Sequence, residues 1–261
     1  MSRRWRVLAA ALALSVAGVV AGATVPRAHA HGRVPVGAVH VAGETAQDVV
    51  TGRLLFVGAS YSIGLGATNA AEGYASLLAD RMHQPYSVNA VSGTGFQNAG
   101  RHHSGTFAER IARIPVLPAP SIVVIQGGRD DTRFPSSREY AAALDTIQLA
   151  QHRFRSARVV VLGPIPAVLP VSTRILAIRS AIGQACRAAR AGFIDPIAQR
   201  WITPENIRSY SGRIHGHPND AGYAYITTRL IAALPAALHA SQPPLQPLPT
   251  PSASPTTAAL T

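Results

Sequence analysis

The stretch Arg53-Leu54-Leu55-Phe56-Val57-Gly58-Ala59-Ser60 decides the fold. Four consecutive apolar residues, Leu54 to Val57, run into a glycine without polar alternation. A strand with one wet face alternates, whereas a strand buried on both faces does not. This run therefore reads as an interior strand of a sheet covered on both sides. The signature recurs at Ser121–Gln126 (SIVVIQ, between Pro120 and Gly127) and at Arg158–Leu162 (RVVVL), while Tyr86–Val91 and the brief Phe193–Asp195 read as two further strands. Between these runs apolar residues recur at helical spacing: 71–83 through Tyr74, Leu77, Leu78 and Met82, then 137–155, 173–191 and 220–233. Ser136 or Ser137 is expected to cap the helix over 137–155, and Gly192 to supply the left-handed end of the one over 173–191. Strands alternating with helices, joined by right-handed crossovers, give a three-layer α/β/α sandwich around a central parallel sheet of about five strands.

Outward from this core the chain changes character. The 261 residues are 47% apolar and 6% aromatic, enough for one sizeable core filled mostly by Ala, Val, Leu and Ile. The N-terminus carries Arg3, Arg4 and Arg6, then an apolar run from Val7 to about Gly22, then Ala28-His29-Ala30. That order reads as a signal peptide over 1–30, cleaved after Ala30, and hence as a secreted protein. A retained membrane anchor is the competing reading; the run's glycines and the nearby Pro26 argue against it. Residues 31–50 form a lead-in, 51–235 the folded domain, and 236–261 a Pro/Ser/Thr/Ala-rich segment without a charged residue, read as a disordered tail.

All 24 basic residues are arginine against 12 acids, a formal charge of +12. Cleavage removes four arginines and no acid, which leaves +8. The arginines are scattered, so a solvated basic surface is expected, and neither a nucleic-acid partner nor a stable protein partner is implied. Association with an anionic cell envelope suits the charge. Cys186 is the only cysteine; it falls on an apolar helical face and reads as core packing, not as a thiol nucleophile.

In parallel α/β sheets, ligands bind beyond the carboxyl ends of the strands, so residues just past them are the candidates for chemistry. Four polar, glycine-containing segments are singled out. Gly58-Ala59-Ser60-Tyr61-Ser62-Ile63-Gly64 follows the first strand and reads as a strand-to-helix turn that exposes a serine hydroxyl near the first amides of the next helix, which can stabilise an oxyanion. Ser92-Gly93-Thr94-Gly95 follows the second, where glycine lets a backbone N–H approach a ligand. Gln126-Gly127-Gly128-Arg129-Asp130-Asp131 follows the third. His215-Gly216-His217-Pro218-Asn219-Asp220 precedes the last helix and offers a general base. Neither a P-loop nor a dinucleotide fingerprint is present. His215 and His217 lack a third ligand nearby in sequence, so no metal and no cofactor are implied.

Taken together and in order, these segments resemble the SGNH/GDSL hydrolase family over roughly residues 53–235. Gly58-Ala59-Ser60 stands where that family has Gly-Asp-Ser, Gly93 at its oxyanion-hole glycine (with Gly95 the alternative), Gly127-Gly128-Arg129-Asp130 at its Gly-x-Asn-Asp block, and His217-Pro218-Asn219-Asp220 at its terminal His block. The resemblance implies a flavodoxin-like SGNH fold and an esterase with Ser60 as nucleophile, His217 as base, and Gly93 and Arg129 at the oxyanion hole. It implies an ester substrate, a lipid or an acylated carbohydrate. A weakened binding module or an acyltransferase is the alternative. Three departures matter: Ala59 replaces the motif acid, Arg129 the oxyanion asparagine, and Ile214 the acid three residues before the histidine. His215, Asp220 or Asp195, or a backbone carbonyl, is left to orient the imidazole.

Overall fold

A computed structural model describes residues 52–241. Five strands, β1 (Arg53–Gly58), β2 (Tyr86–Ala90), β3 (Pro120–Gln126), β4 (Arg158–Leu162) and β5 (Gly192–Ile194), form one sheet in the order β2-β1-β3-β4-β5, every neighbouring pair parallel. Around it run α1 (Tyr74–Met82), α2 (Phe107–Ile111), α3 (Glu139–Arg153), α4 (Thr173–Ala189), α5 (Ile207–Tyr210) and α6 (Asp220–Ala240). This is the expected three-layer sandwich. The unbroken apolar strands are explained by two cores. Leu55, Val57, Val123, Ile125, Val159 and Val161 pack with Ile147 of α3 and Ile178, Ile182 and Cys186 of α4. The intervening residues Leu54, Phe56, Ile122, Val124, Val160 and Leu162 pack with Leu78 of α1 and Tyr223, Ile226 and Leu230 of α6. Each such fully buried side chain stabilises the fold by roughly 1.5–3 kcal/mol.

Several local expectations are corrected. Neither Ser136 nor Ser137 caps α3: Ser136–Arg138 forms a 3-10 turn that runs straight into the helix, and the cap position, Arg138, makes no side-chain capping bond. The left-handed residue after α4 is Arg190 (φ +51°), while Gly192 is already the first residue of β5. Its glycine serves a different need, because a Cβ there would run into the main-chain carbonyl of Ala237. Helix α6 does not stop before Pro235 but continues to Ala240, with Leu234 and Ala237 buried on either side of the proline. Residues 236–240 thus belong to the fold. The segments read as signal peptide and lead-in, and the remainder of the tail beyond 241, lie outside the described residues. Cys186 is buried, and burial pushes its thiol up to about 12, in keeping with core packing.

The strand order positions the site. From β1 the chain crosses one way to β2, and β3 pairs with the opposite edge of β1. Loops leaving β1 and β3 therefore diverge and open a crevice at their carboxyl ends, the switch point of such sheets.

Candidate active site

Ser60 lies two residues past β1, 7% exposed. The expected helix does not begin there, since α1 starts only at Tyr74. Instead the chain coils back on itself: the amides of Ser62 and Ile63 donate to Ala59 O (3.0 and 3.3 Å), and Leu65 N donates to Ser60 O (3.0 Å). The turn is packed tightly from below. A Cβ at Gly58 would collide with Ser62 Oγ, which is fixed by a 2.7 Å hydrogen bond with Tyr74 Oη.

His217 sits on the hairpin that precedes α6, where Gly212 N donates to His217 O (2.7 Å) and His217 N to Ile214 O (3.0 Å). Two contacts bring this hairpin to the Ser60 loop. Gly66 packs its backbone against Pro218, leaving 2.5 Å between the position of any Cβ and Pro218 O. The Asp220 carboxylate accepts from both the amide (2.7 Å) and the hydroxyl of Thr68. The result places His217 Nε2 2.9 Å from Ser60 Oγ. The other ring nitrogen, Nδ1, lies 3.0 Å from His215 O. A carbonyl only accepts, so Nδ1 carries the proton and Nε2 is left with a lone pair toward the serine hydroxyl.

The carboxylates considered for orienting the imidazole are engaged elsewhere. Asp195 is ion-paired with Arg179 at 2.6 Å, Asp220 holds Thr68, and Ile214 is 44% exposed. Of the sequence candidates, the main-chain oxygen of His215 occupies that place. Gly93 is left-handed (φ +74°), and a side chain there would meet nothing within 4 Å, so its backbone lines open space. Neither its amide nor that of Ser60 has an acceptor among the described residues. Arg129 also reaches this rim, but its Nη1 donates to Tyr61 Oη (2.9 Å) and Gly216 O (2.8 Å), on the histidine hairpin.

The electrostatics favour a neutral imidazole. Burial holds the His217 pKa below its ordinary value, and the charge of Arg129 and the neighbouring His215 add to this; the His215 carbonyl and Asp130 act the other way. Burial likewise raises the pKa of the Tyr61 phenol, so it remains a donor, and its oxygen donates to Gly216 O at 3.0 Å.

Three residues organise the rim: Arg110 and Glu139 went unnoticed in the sequence, and Asp131 was picked out only as part of the segment after β3, with no role of its own. Arg110, 5% exposed, donates to Gly58 O and Asn89 O (both 2.7 Å) and to Thr94 Oγ1 (3.1 Å), fastening the ends of β1 and β2 together. Asp131, fully buried, accepts from the amides of Phe96, Gln97 and Asn98 (3.1, 2.9 and 3.1 Å) and so shapes the loop after Gly93. A Cβ at Gly95 would collide with that carboxylate. Glu139 accepts from Gln97 Nε2. A signal for α2, which carries Arg110, was present in Thr106-Phe107-Ala108-Glu109, a capping box in which Thr106 and Glu109 satisfy each other's amides. Nothing in the sequence marks the buried acids as partners of distant amides. Among the described residues, no group of three His, Cys, Asp or Glu side chains is arranged to hold a metal ion.

Known proteins resemble this chain in sequence and in fold. Residues 56–225 match the model of the GDSL-like lipase/acylhydrolase family. A GDSL lipase of Mycobacterium tuberculosis is 33% identical over 184 residues, covering 67% of this chain and 78% of that protein. Among solved structures, a carbohydrate esterase family 2 enzyme with a carbohydrate-binding domain from Myceliophthora fergusii is similar in fold (TM-score 0.57, 21% identity, 77% of this chain and 69% of that one). A lipolytic protein of the G-D-S-L family from Desulfitobacterium hafniense is similar too (TM-score 0.57, 14% identity, 69% of this chain and 98% of that one).

Proposed function

The chain belongs to the GDSL-like lipase/acylhydrolase family and is accordingly an ester-hydrolysing enzyme; from this premise we propose that it works through an acyl-enzyme on Ser60, with His217 as general base. The observation that carries the proposal is the 2.9 Å approach of His217 Nε2 to Ser60 Oγ, with Nδ1 held by a carbonyl. Ser60 Oγ attacks the ester carbonyl carbon as its proton passes to Nε2. The amides of Ser60 and Gly93 stabilise the oxyanion, and collapse expels the alcohol, which takes the proton back from Nε2. Water then repeats the sequence on the acyl-enzyme and releases the acid. Arg129, read from the sequence as a third oxyanion donor, serves the histidine hairpin in this scheme.

The substrate we propose is an acyl ester of a lipid or of an acetylated carbohydrate, met by an exported protein near the anionic cell envelope. In support, an open groove of about 980 Å³ passes His215 and Gly216 and is lined by Val168, Leu169, Ile197, Ile202 and Ile207, apolar contact for an acyl chain, with Arg200 and Arg208 in the same wall. The names of the two structural neighbours, one lipolytic and one a carbohydrate esterase, span the same two classes. One observation favours a slower enzyme or a binding module: the orienting acceptor is uncharged, and a serine triad deprived of its acid loses about 10⁴ in rate. Kinetics on a neutral activated ester separate the readings. Ser60→Ala and His217→Ala are each expected to lower kcat by about 10³-fold or more with KM little changed. A Ser60→Ala protein with full activity would refute the assignment.

A further inference from the structure

We infer that Arg129 and Tyr61 form a positioning clamp, which fixes the hairpin so that a main-chain carbonyl serves His217 in place of an acid. The inference rests on the Ser60–His217 reading. An acceptor on the histidine's own loop, only two residues away, orients the ring no better than the loop itself is held. The peptide groups on either side of Gly216 are therefore the critical ones: the first supplies His215 O to Nδ1, and the second supplies Gly216 O.

Gly216 O is gripped by two donors that come from other strands. Tyr61, next to Ser60 after β1, donates its hydroxyl at 3.0 Å. Arg129, after β3, donates Nη1 at 2.8 Å, and the same Nη1 meets Tyr61 Oη at 2.9 Å, closing a three-cornered contact. The guanidinium lies over the Tyr61 ring at 5.2 Å, and that ring is 5.6 Å from the imidazole. Gly216 is left-handed (φ +75°), and a Cβ there would be 3.1 Å from Arg129 Nη2, so the hairpin is shaped to receive the arginine. Arg129 has no carboxylate within ion-pair distance among the described residues, which leaves its fork to the carbonyl and the phenol. An arginine suits this task because it stays protonated at every working pH and remains a donor. The asparagine of the family's pattern is shorter; the arginine reaches the histidine hairpin instead of stopping at the rim.

The clamp carries a signature that a triad acid does not. A carboxylate raises the basicity of its histidine, whereas a guanidinium opposes imidazolium. The groups facing His217 are Arg129 and Asp130 from the end of β3, Tyr61 from the end of β1, and His215 on its own hairpin. Of these, Arg129 and His215 lower its pKa and Asp130 raises it, so loss of the Arg129 charge shifts the acid limb of kcat/KM to higher pH.

The experiment measures kcat, KM and pH profiles of Arg129→Met, Arg129→Lys, Tyr61→Phe and the Arg129→Met/Tyr61→Phe double variant on p-nitrophenyl butyrate, with circular dichroism to verify folding. Arg129→Met and Tyr61→Phe are each expected to lower kcat by about 10–10²-fold with KM within about threefold, the cost of a misplaced base. The double variant should be little worse than Arg129→Met alone, since both act on one carbonyl. Arg129→Met moves the acid limb upward; Tyr61→Phe leaves it in place; Arg129→Lys, which keeps the charge, also leaves it in place and recovers part of kcat. Additive losses, a loss confined to KM, or an unchanged kcat in folded Arg129→Met overturns the clamp. Ser60→Ala in the same assay keeps the two readings distinct. If it abolishes activity while the clamp variants are unaffected, the clamp alone fails; if it retains activity, both fail.

Discussion

At His217 a main-chain oxygen stands where a three-member triad has a carboxylate, and the two differ in charge more than in geometry. The carbonyl selects the tautomer with Nε2 free, which is the part of orientation that a lone pair suffices for. It offers little to an imidazolium, and burial, Arg129 and His215 act further against that form. The sign follows directly. A base whose pKa lies below the ordinary 6.5 remains neutral, and able to take the Ser60 proton, to more acidic pH. The acid limb of wild-type kcat/KM is accordingly expected to have its midpoint below 6.5; a midpoint above 6.5 contradicts this. Ser60 and His217 were legible as candidates because they are polar residues in glycine-containing turns, just past an apolar run or before a helix. The role of Arg129 was not legible, because where a long side chain ends depends on a hairpin 87 residues away and on the left-handed turn at Gly216.

Among the elements, the interior strands β1, β3 and β4 were the most legible, since burial on both faces writes itself as continuous apolar sequence, whereas the edge strand β2 alternates and is largely exposed. Boundaries governed by distant packing were not legible. Pro235 removes one helical hydrogen bond, yet α6 runs past it because Leu234 and Ala237 gain burial; Gly192, after α4, is set by the Ala237 carbonyl of α6. The first residue of α3 has a measurable consequence. Glu139 is fully buried, accepts from Gln97, and has a second oxygen without a partner among the described residues. Burial, with the nearby Asp131 carboxylate, pushes its pKa up to about 8. The folded state therefore keeps a proton that the unfolded chain releases near 4.5, so this group's contribution to stability is full below 4.5 and falls as pH rises toward 8. Glu139→Gln retains the bond partner and removes the titration. Relative to wild type it is expected to gain on the order of 1–3 kcal/mol between pH 5 and pH 8, read from urea unfolding midpoints at both values. Parallel pH dependences of the two proteins would contradict the burial argument.

For the molecule as a whole, the sheet order explains why a hydroxyl from the start of the domain and an imidazole from its end, 157 residues apart, meet at one rim. Loops after β1 and β3 diverge at the switch point, and the hairpin before α6 fills the gap, tied down by Thr68–Asp220, Gly66 and Arg129. The parallel architecture and the rim on which to look were both readable from the alternation of runs; the contacts that close the rim were not, because each joins residues that no local pattern relates. This meeting is what we propose makes Ser60 a nucleophile, and the N-terminal segment is what we propose exports the chain. The most direct test is intact mass and peptide mapping of protein recovered from culture medium after reaction with a fluorophosphonate. A chain beginning at His31, carrying a single phosphonyl adduct on Ser60 that His217→Ala protein acquires far more slowly, is the predicted result. Folded, hydrolytically active protein that carries no adduct, or carries it on another residue, would rule Ser60 out as the nucleophile.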